Sequence, residues 1–320
     1  MKSLKRIPFF HLMILLGAGC WGHAFAQTPP LAIKPLRPSQ KASVMQTIGV
    51  TDITITYSRP PVKGRPIFAE APPDMEARHK GEATLDNQNE RKAGEPIVPY
   101  NHVWRAGANE ATMFQVTDDV TVNGQPLKAG TYSMHTIPGK DEWTIIFNSD
   151  AGQWGSFTYD AAKDVLRVKT KPQAVSDNQE WLVYTFDPVT ENSAQVNLRW
   201  EKMKVPFTVE VKDVKAAWRK HADEMIAANP TNESLPLQVA GAYFQRDKNY
   251  DEALKFANQS IKLKETFGNL SAKARILWAM GKKEDAIAAG DAAVTKGKAD
   301  KANTAAFEKS LADWKAGKTQ

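Results

Sequence analysis

The sequence predicts an antiparallel β-sandwich followed by a C-terminal α-helical domain. Residues 53–57 alternate apolar and polar side chains, as a strand with one buried face does. Turn dipeptides such as Asn123-Gly124 separate short runs that are rich in β-branched and aromatic residues. Near Asp213 the composition changes to Ala, Lys, Glu and Leu, which favour helices. Together these observations predict a β-domain at residues 27–212 and a helical domain at 213–320.

The turn signals predict where the strands lie. Residues 113–122 lead into Asn123-Gly124, which tolerates the positive φ angles of a type I′ hairpin turn. The next predicted strand begins at residue 129 and ends at a Pro-Gly turn. Further strands are predicted over residues 143–147, 165–169, 181–186, 194–200 and 207–211. Eight or nine short strands at this spacing are typical of an antiparallel sandwich.

A polar insertion interrupts the strands at residues 69–96. It contains seven acids and four Lys or Arg residues but almost no large apolar residues. Because such a segment buries little surface, the composition predicts a mobile insertion that the sandwich tolerates. The alternative is a lid over a ligand site.

The helical part contains an internal repeat. The segment NYDEAL, with Ala253, matches KKEDAI, with Ala286, 33 positions later. This period is typical of tetratricopeptide-type helix pairs, which serve as scaffolds for partners. Flanking helices are predicted over residues 214–228 and 302–314. The alternative is a short helical cap packed on the sandwich or on another subunit.

Residues 1–26 have the pattern of an export signal. Three basic residues precede an apolar run that is too short to span a membrane, and an Ala-Phe-Ala cleavage motif ends at residue 26. The expected location is therefore periplasmic or extracellular. The alternative is a lipoprotein anchored at Cys20, which is the only cysteine, so no disulfide is expected in the mature chain.

Net charge and hydropathy exclude two classes of partner. The formal charge is +6, and the export signal contributes three of these charges. The remaining excess is too small to indicate nucleic-acid binding. No segment after Gln27 is long and apolar enough to span a membrane.

Familiar catalytic and cofactor motifs are absent from the sequence after residue 26. That part contains no HExxH, CxxC, GxSxG, P-loop or GxGxxG motif. The sequence therefore favours a non-catalytic protein, and no cofactor or metal is expected. The one metal alternative brings His102 and His135 together across strands beside Glu110.

The first polar cluster is a cationic turn at residues 57–66, with the sequence YSRPPVKGRP. Arg59, Lys63 and Arg65 lie on a turn that is stiffened by prolines. They can converge on a carboxylate or phosphate, since arginine offers two parallel donors. The alternative is that each cation pairs with a local acid or caps backbone carbonyls.

The second polar cluster is the loop WRAGANEAT at residues 104–112. Arg105, Asn109 and Glu110 supply donors and acceptors beside the ring of Trp104, and Gly107 permits an unusual backbone turn. This mixture suits a sugar, peptide or amino-acid ligand. The alternative is a buried network in which Arg105 and Glu110 form an ion pair.

These motifs resemble a secreted bacterial family of unknown function, DUF2911. The similarity lies in YSRPPVKGRPIF, VPYNHVWRAGANEAT, VNGQPLKAGTYSMHTIPGKDEWTIIFN, QWGSFTYD, VLRV and VPFTVE, and it extends over about residues 40–211. The resemblance implies a β-rich exported domain, in some members with a helical repeat tail. It assigns no activity to Arg105 or Glu110. The long polar insertion departs from the family pattern, and His102 and His135 are atypical at their positions.

The preferred functional hypothesis is an exported binding or scaffold protein. The sandwich would hold a small anionic or sugar-like ligand, and the helical tail would bind a partner such as an envelope protein. The candidate ligand-binding residues are Arg59, Lys63, Arg65, Trp104, Arg105, Asn109 and Glu110.

Two alternatives to this hypothesis stay open. One is a hydrolase of envelope glycan or peptide, with Glu110 as general base and Arg105 as charge stabiliser. The other is a structural protein whose sandwich is a spacer and whose helices bind a protein through an apolar groove at Tyr243 and Trp278. The tail is also a candidate for self-association.

Overall fold

The structure is a computed structural model that describes residues 36–79, 84–87 and 91–318. The predicted export signal and Cys20 lie outside these residues. In the described ranges, no helix combines the length and the apolar character that a membrane crossing requires.

The larger of two antiparallel sheets has six strands. In spatial order they are β1 (Gln40–Ile48), β2 (Thr51–Arg59), β5 (Thr112–Val116), β8 (Gly130–Ile137), β9 (Trp143–Asn148) and β10 (Asp164–Thr170). Alternate residues of these strands point to opposite faces. One face therefore lies on the apolar core, and the other is available for polar residues.

The smaller antiparallel sheet has four strands. In spatial order they are β11 (Gln173–Val189), β12 (Ser193–Glu210), β6 (Val120–Val122) and β7 (Gln125–Leu127). A short parallel pair joins β3 (Phe68–Ala69) to β4 (Val98–Pro99) at the two ends of the polar insertion. The chain thus leaves the sandwich and returns to it at the same place.

The two antiparallel sheets enclose one apolar core, which confirms the sandwich prediction. Phe114 and Phe147 of the larger sheet contact Phe207 of the smaller sheet, with ring centroids 6.5 and 6.2 Å apart. Aliphatic residues of both sheets complete the same cluster. Burial of this apolar surface, at roughly 25 cal/mol per Å², is the main force that holds the sheets together.

Three predicted strands differ from the structure. The strand predicted at residues 113–122 is divided, because its first half joins the larger sheet as β5 and its second half joins the smaller sheet as β6. The two strands predicted at 194–200 and 207–211 are one continuous strand, β12. The predicted hairpin turn is confirmed, since Asn123 and Gly124 have φ angles of 45° and 81°.

The polar insertion contains regular structure in its described parts, and its predicted mobility stays a prediction. It contains helix α1 (Pro73–Arg78) and a 3₁₀ turn, Leu85–Asn87. Its few apolar side chains, Met75 and Leu85, are buried. Arg78 forms ion pairs with Asp74 and Glu95, each at 2.5 Å. Composition did not predict these apolar contacts and ion pairs.

Helices follow β12. They are α2 (Val214–Ala228), α3 (Ser234–Ala242) with a π-helical extension (Tyr243–Asp247), α4 (Tyr250–Leu263), α5 (Phe267–Ala279), α6 (Lys283–Ala299) and α7 (Ala305–Lys315). The two repeated segments begin α4 and α6, where Asn249 and Lys282 are the N-caps. The predicted helical tail with repeated pairs is therefore confirmed.

Helix α2 is attached to the sandwich. Val214 and Ala217 pack against the sandwich core. His221 Nε2 lies 2.8 Å from the Oδ1 atom of buried Asp118, which also accepts a hydrogen bond from Thr51 Oγ1 at 2.9 Å. The tail thus begins on a firm contact with the β-domain.

Candidate functional site

A cavity of about 250 Å³ lies between the cationic turn and the loop at residues 104–109. Its walls carry Lys63, Arg65, Arg91 and Arg105, with Asp86 as the one carboxylate among the described lining residues. We call it the cation cavity. The other lining residues are Pro38, Ser39, Pro60, Pro61, Ile97, Trp104, Gly107, Ala108 and Asn109.

Five of the seven predicted site residues line this cavity, namely Lys63, Arg65, Trp104, Arg105 and Asn109. The structure places the other two outside this lining. The Nε of Arg59 donates to the carbonyl of Leu182 at 2.8 Å, which ties the turn to β11. Glu110 forms a β-bridge with Trp154. Its role as a general base stays a prediction.

Arg105 is fixed by Asp86, so the predicted pairing of Arg105 with Glu110 is wrong. The Oδ2 atom of Asp86 accepts from the backbone N–H of Arg105 at 2.9 Å and from its Nε at 2.7 Å. The Nη2 of Arg105 donates to the Asp86 carbonyl at 2.6 Å, and its Nη1 donates to the Asn109 carbonyl at 2.8 Å. Both side chains are almost fully buried. The sequence pattern missed Asp86 because it lies in the insertion, 19 residues before Arg105.

The loop around Arg105 is held in a strained backbone conformation. Ala106 and Asn109 have φ angles of 54° and 59°, a region that non-glycine residues rarely adopt. The Ala106 carbonyl accepts hydrogen bonds from Thr112 Oγ1 at 2.9 Å and from Tyr184 Oη of the smaller sheet at 2.8 Å. These bonds hold the strain in place.

Gly107 has a different role from the predicted one. It is not a residue with positive φ in this loop; the unusual turn uses Ala106 and Asn109 instead. A Cβ atom on Gly107 would lie 2.9 Å from Thr112 Oγ1 and 3.2 Å from the Ser58 carbonyl. Glycine is therefore required here for close packing.

The cationic turn presents Arg65 through bonds to its own backbone. Arg65 Nε donates to the Val62 carbonyl at 3.0 Å, and its Nη2 donates to the Pro61 carbonyl. These contacts match the alternative in which the cations cap carbonyls, yet Arg65 still lines the cavity. A carbonyl carries no full charge, so the positive charge of Arg65 is not neutralised by these bonds.

Arg91 was not predicted as a site residue. It is partly buried, and its Nε atom has no hydrogen-bond partner within the described residues. Burial lowers the pKa of its guanidinium, nearby Asp86 opposes this, and Arg105 and Arg65 lower the pKa further. Composition could not single it out, because it is one of four cations in the polar insertion.

A polar network lies behind Asp86, on the outer face of the larger sheet. Ser156 Oγ donates to Asp86 Oδ2 at 3.0 Å. His135 is fully buried, with Nδ1 3.1 Å from Ser156 Oγ and Nε2 3.1 Å from Ser133 Oγ. Because the Ser156 hydroxyl donates to Asp86, its oxygen accepts from Nδ1–H of His135. The Nε2 atom of His135 then accepts from the Ser133 hydroxyl. Burial lowers the pKa of His135 to about 4, so the ring is neutral at pH 7.

This network does not have the arrangement of a serine hydrolase. There, histidine lies between the serine and the acid, and removes the proton of the serine. Here Ser156 lies between His135 and Asp86, and its hydroxyl is sealed from solvent. The polar chain is therefore a structural network.

The two histidines of the metal alternative have different partners in the structure. His102 contacts Glu76 Oε1 at 3.4 Å, whereas His135 contacts two serines. In the described part of the chain, no group of three or more His, Cys, Asp and Glu side chains could hold a metal ion.

The aromatic candidates pack against other aromatic rings, although Tyr243 and Trp278 are only partly buried. Trp104 is buried and stacks on Trp200 with ring centroids 5.9 Å apart, so its ring faces the core. Tyr243 stacks on Phe256, and Trp278 stacks on Trp314, both within the helical tail. These contacts account for the three aromatic rings without a ligand or partner.

Comparison with known proteins identifies the β-domain. Residues 86–209 match the family model described as "Protein of unknown function (DUF2911)". This part of the chain is similar to the family that the motifs resemble. The match includes Asp86, Arg91 and Arg105 but begins after Lys63 and Arg65. Searches of curated proteins and of solved structures found no match.

Proposed function

We propose that the β-sandwich binds a small anionic ligand in the cation cavity, within an exported binding or scaffold protein. The observation that carries this proposal is the imbalance of charge in the cavity wall. Four cationic side chains line it, and the one lining carboxylate, Asp86, is bound to Arg105. Lys63, Arg65 and Arg91 are left without a carboxylate among the described lining residues.

Such a cavity is unfavourable when empty of counter-charge. Two like charges about 6 Å apart near a protein surface repel by about 3 kcal/mol at an effective dielectric constant of about 20. Desolvation adds to this cost for Arg91, which is partly buried. A bound anion removes the repulsion and supplies acceptors to the free donors.

The cavity is also organised before a ligand arrives. Arg65 is held by two backbone carbonyls, and Arg105 by Asp86 and Asn109. Groups held in this way lose little conformational freedom on binding, which favours affinity. A sugar ligand has less support, because the face of Trp104 that would stack on it is buried.

Two further parts of the proposal concern location and partners. The export pattern of residues 1–26 supports a protein that acts outside the cytoplasm. The repeated helix pairs of the tail support a second surface for a protein partner or for self-association.

Thermal unfolding in the presence of anions tests the binding proposal. Acetate, succinate, phosphate and sulfate are compared at constant ionic strength, since a ligand that binds the folded state raises Tm. We expect at least one anion to raise the Tm of the wild type and to lose this effect in Arg65→Ala. Lys140→Ala, which removes an exposed cation far along the chain, is the matched control. If no anion acts, or if Arg65→Ala responds like the wild type, the proposal is wrong.

A further inference from the structure

Asp86 and Arg91 both line the cation cavity, but their bonding differs. The Asp86 Oδ2 atom accepts three hydrogen bonds, from the Arg105 backbone, the Arg105 Nε and Ser156. This oxygen therefore has little capacity left for Arg91, and among the described residues the ion pair of Asp86 is with Arg105. Asp86 neutralises Arg105 and turns that residue into a fixed part of the wall.

The next carboxylate in reach of Arg91 is also engaged. Glu95 lowers the electrostatic cost of charging Arg91, but its Oε1 accepts from Arg78 at 2.5 Å. Its Oε2 accepts from the Lys92 backbone N–H at 2.8 Å. The described chain thus supplies two carboxylates near Arg91, and other groups occupy both of them.

The number of free cations matches one kind of anion. Lys63, Arg65 and Arg91 face the cavity with three positive charges in excess of the wall's own acid. A carboxylate would bring one negative charge and two oxygens. A phosphomonoester brings about two charges at pH 7 and three acceptor oxygens, one for each cation. The charge balance therefore favours phosphate.

The size of the cavity limits how much of the ligand enters. Its volume of about 250 Å³ lies below the range of about 300–1,000 Å³ that is usual for drug-sized ligands. It accommodates a phosphoryl group with a small attached part. The remainder of a larger ligand would lie outside the cavity.

We propose that the anionic ligand is a phosphomonoester and that Arg91, from the polar insertion, is one of its binding residues. This inference rests on the proposed function, because it names the ligand class of the same cavity. It also gives the insertion a function: the insertion supplies Asp86 to fix Arg105 and Arg91 to bind the ligand.

Calorimetric titration tests this inference. Inorganic phosphate and glycerol 3-phosphate are compared with acetate and succinate at pH 7.5 and constant ionic strength. We expect both phosphates to bind on the order of tenfold or more tightly than either carboxylate, since charge-assisted bonds to a dianion are stronger. We expect glycerol 3-phosphate to bind more tightly than inorganic phosphate. The reverse order would overturn the ester and indicate free phosphate as the ligand.

Variants separate Arg91 from the rest of the cavity. We expect Arg91→Ala to weaken phosphate binding on the order of tenfold and to change acetate binding little. Arg91→Lys, which keeps the charge, should recover part of the affinity. If Arg91→Ala does not fold, Arg91→Lys still tests the role of Arg91, because it alters the hydrogen-bonding geometry and keeps the charge. Lys140→Ala should bind like the wild type, and circular dichroism checks that each variant is folded.

The possible outcomes distinguish the two proposals. Carboxylates that bind as tightly as phosphates, with a dependence on Arg65, would overturn the phosphate inference and leave anion binding intact. Phosphate binding that survives in both Arg91 variants would overturn the role of Arg91. If the wild type binds none of the four anions, both proposals are wrong.

Discussion

Two polar regions meet at Asp86, and they differ in how completely their groups are satisfied. In the network behind Asp86, each proton can be assigned, from Ser133 to His135, then to Ser156 and on to Asp86. In the cation cavity in front of it, positive charges exceed the wall's own acid. A buried polar group that is fully bonded stabilises one structure, whereas donors in excess are ready for a ligand. The comparison teaches that burial alone does not mark a site; unmatched charge does.

The largest expected effect comes from removing the charge that the two regions share. Asp86→Asn leaves Arg105 buried without a counter-charge, and breaking a buried pair in this way costs about 3–5 kcal/mol. Chemical denaturation measures the loss in the free energy of unfolding. Asp74→Asn, at an exposed acid that also pairs with cations, should lose much less, because solvent screens exposed ion pairs. Equal losses of unfolding free energy in the two variants would mean that Asp86 does not neutralise a buried Arg105.

The pH dependence of stability tests the neutral histidine of the network. The pKa of His135 is about 4 in the folded protein, against about 6.5 unfolded. Between these values the unfolded chain binds the proton and the folded chain does not. Stability therefore falls as the pH is lowered from 6.5 to 4, by about 3 kcal/mol from this group.

Denaturation of the wild type and of His135→Gln over this pH range measures the contribution. Glutamine can also donate and accept but does not titrate, so the variant should have a shallower pH dependence. A wild type and a variant with the same slope would show that the pKa of His135 is not lowered by folding.

Substitutions at two glycines test how closely the loop before Ser156 packs on Arg105. A Cβ on Gly155 would lie 2.8 Å from the Arg105 Cζ, and its φ is 65°. A Cβ on Gly152, at φ 99°, meets no atom within 4 Å. Gly155→Ala should therefore lose about 1–3 kcal/mol more than Gly152→Ala, since both share the backbone strain and only one has the clash. Similar losses would mean that the loop is free to move away from Arg105.

The smallest expected effect on the free energy of unfolding comes from removing Arg91 from the cation cavity. In a buffer without multivalent anions, Arg91→Met should leave the free energy of unfolding unchanged or raise it by up to about 1 kcal/mol. The reason is that a partly buried cation near Arg65 and Arg105 is removed. Arg105→Met should destabilise strongly, because it leaves Asp86 unpaired. A large loss in Arg91→Met would show that Arg91 supports the fold.

The sequence predicted the fold well because strand alternation and turn chemistry are local. The Asn123-Gly124 hairpin and the 33-residue helical repeat are examples. The division of residues 113–122 between two sheets was missed. The polar run at residues 117–119 interrupts the alternation, but the apolar positions on either side keep the same phase, so the pattern does not record a change of sheet.

The site was predicted only where its residues are close in sequence. The cationic turn and the Arg105 loop were both recognised from their composition. Asp86 and Arg91 were missed, because the polar composition of their segment is also typical of unfolded chains. The network was missed as well, since Ser133 and His135 are polar residues on the outer face of a strand, where the sequence predicts exposure. Only the covering loop with Ser156 buries them.

A crystal structure of the protein grown in the presence of phosphate tests the central claim most directly. The account predicts a phosphate ion in the cation cavity, within hydrogen-bond distance of Arg65 and Arg91, with Arg105 still bound to Asp86. A cavity that holds only water at a saturating phosphate concentration, or Arg91 turned away to a partner on the protein, would contradict it.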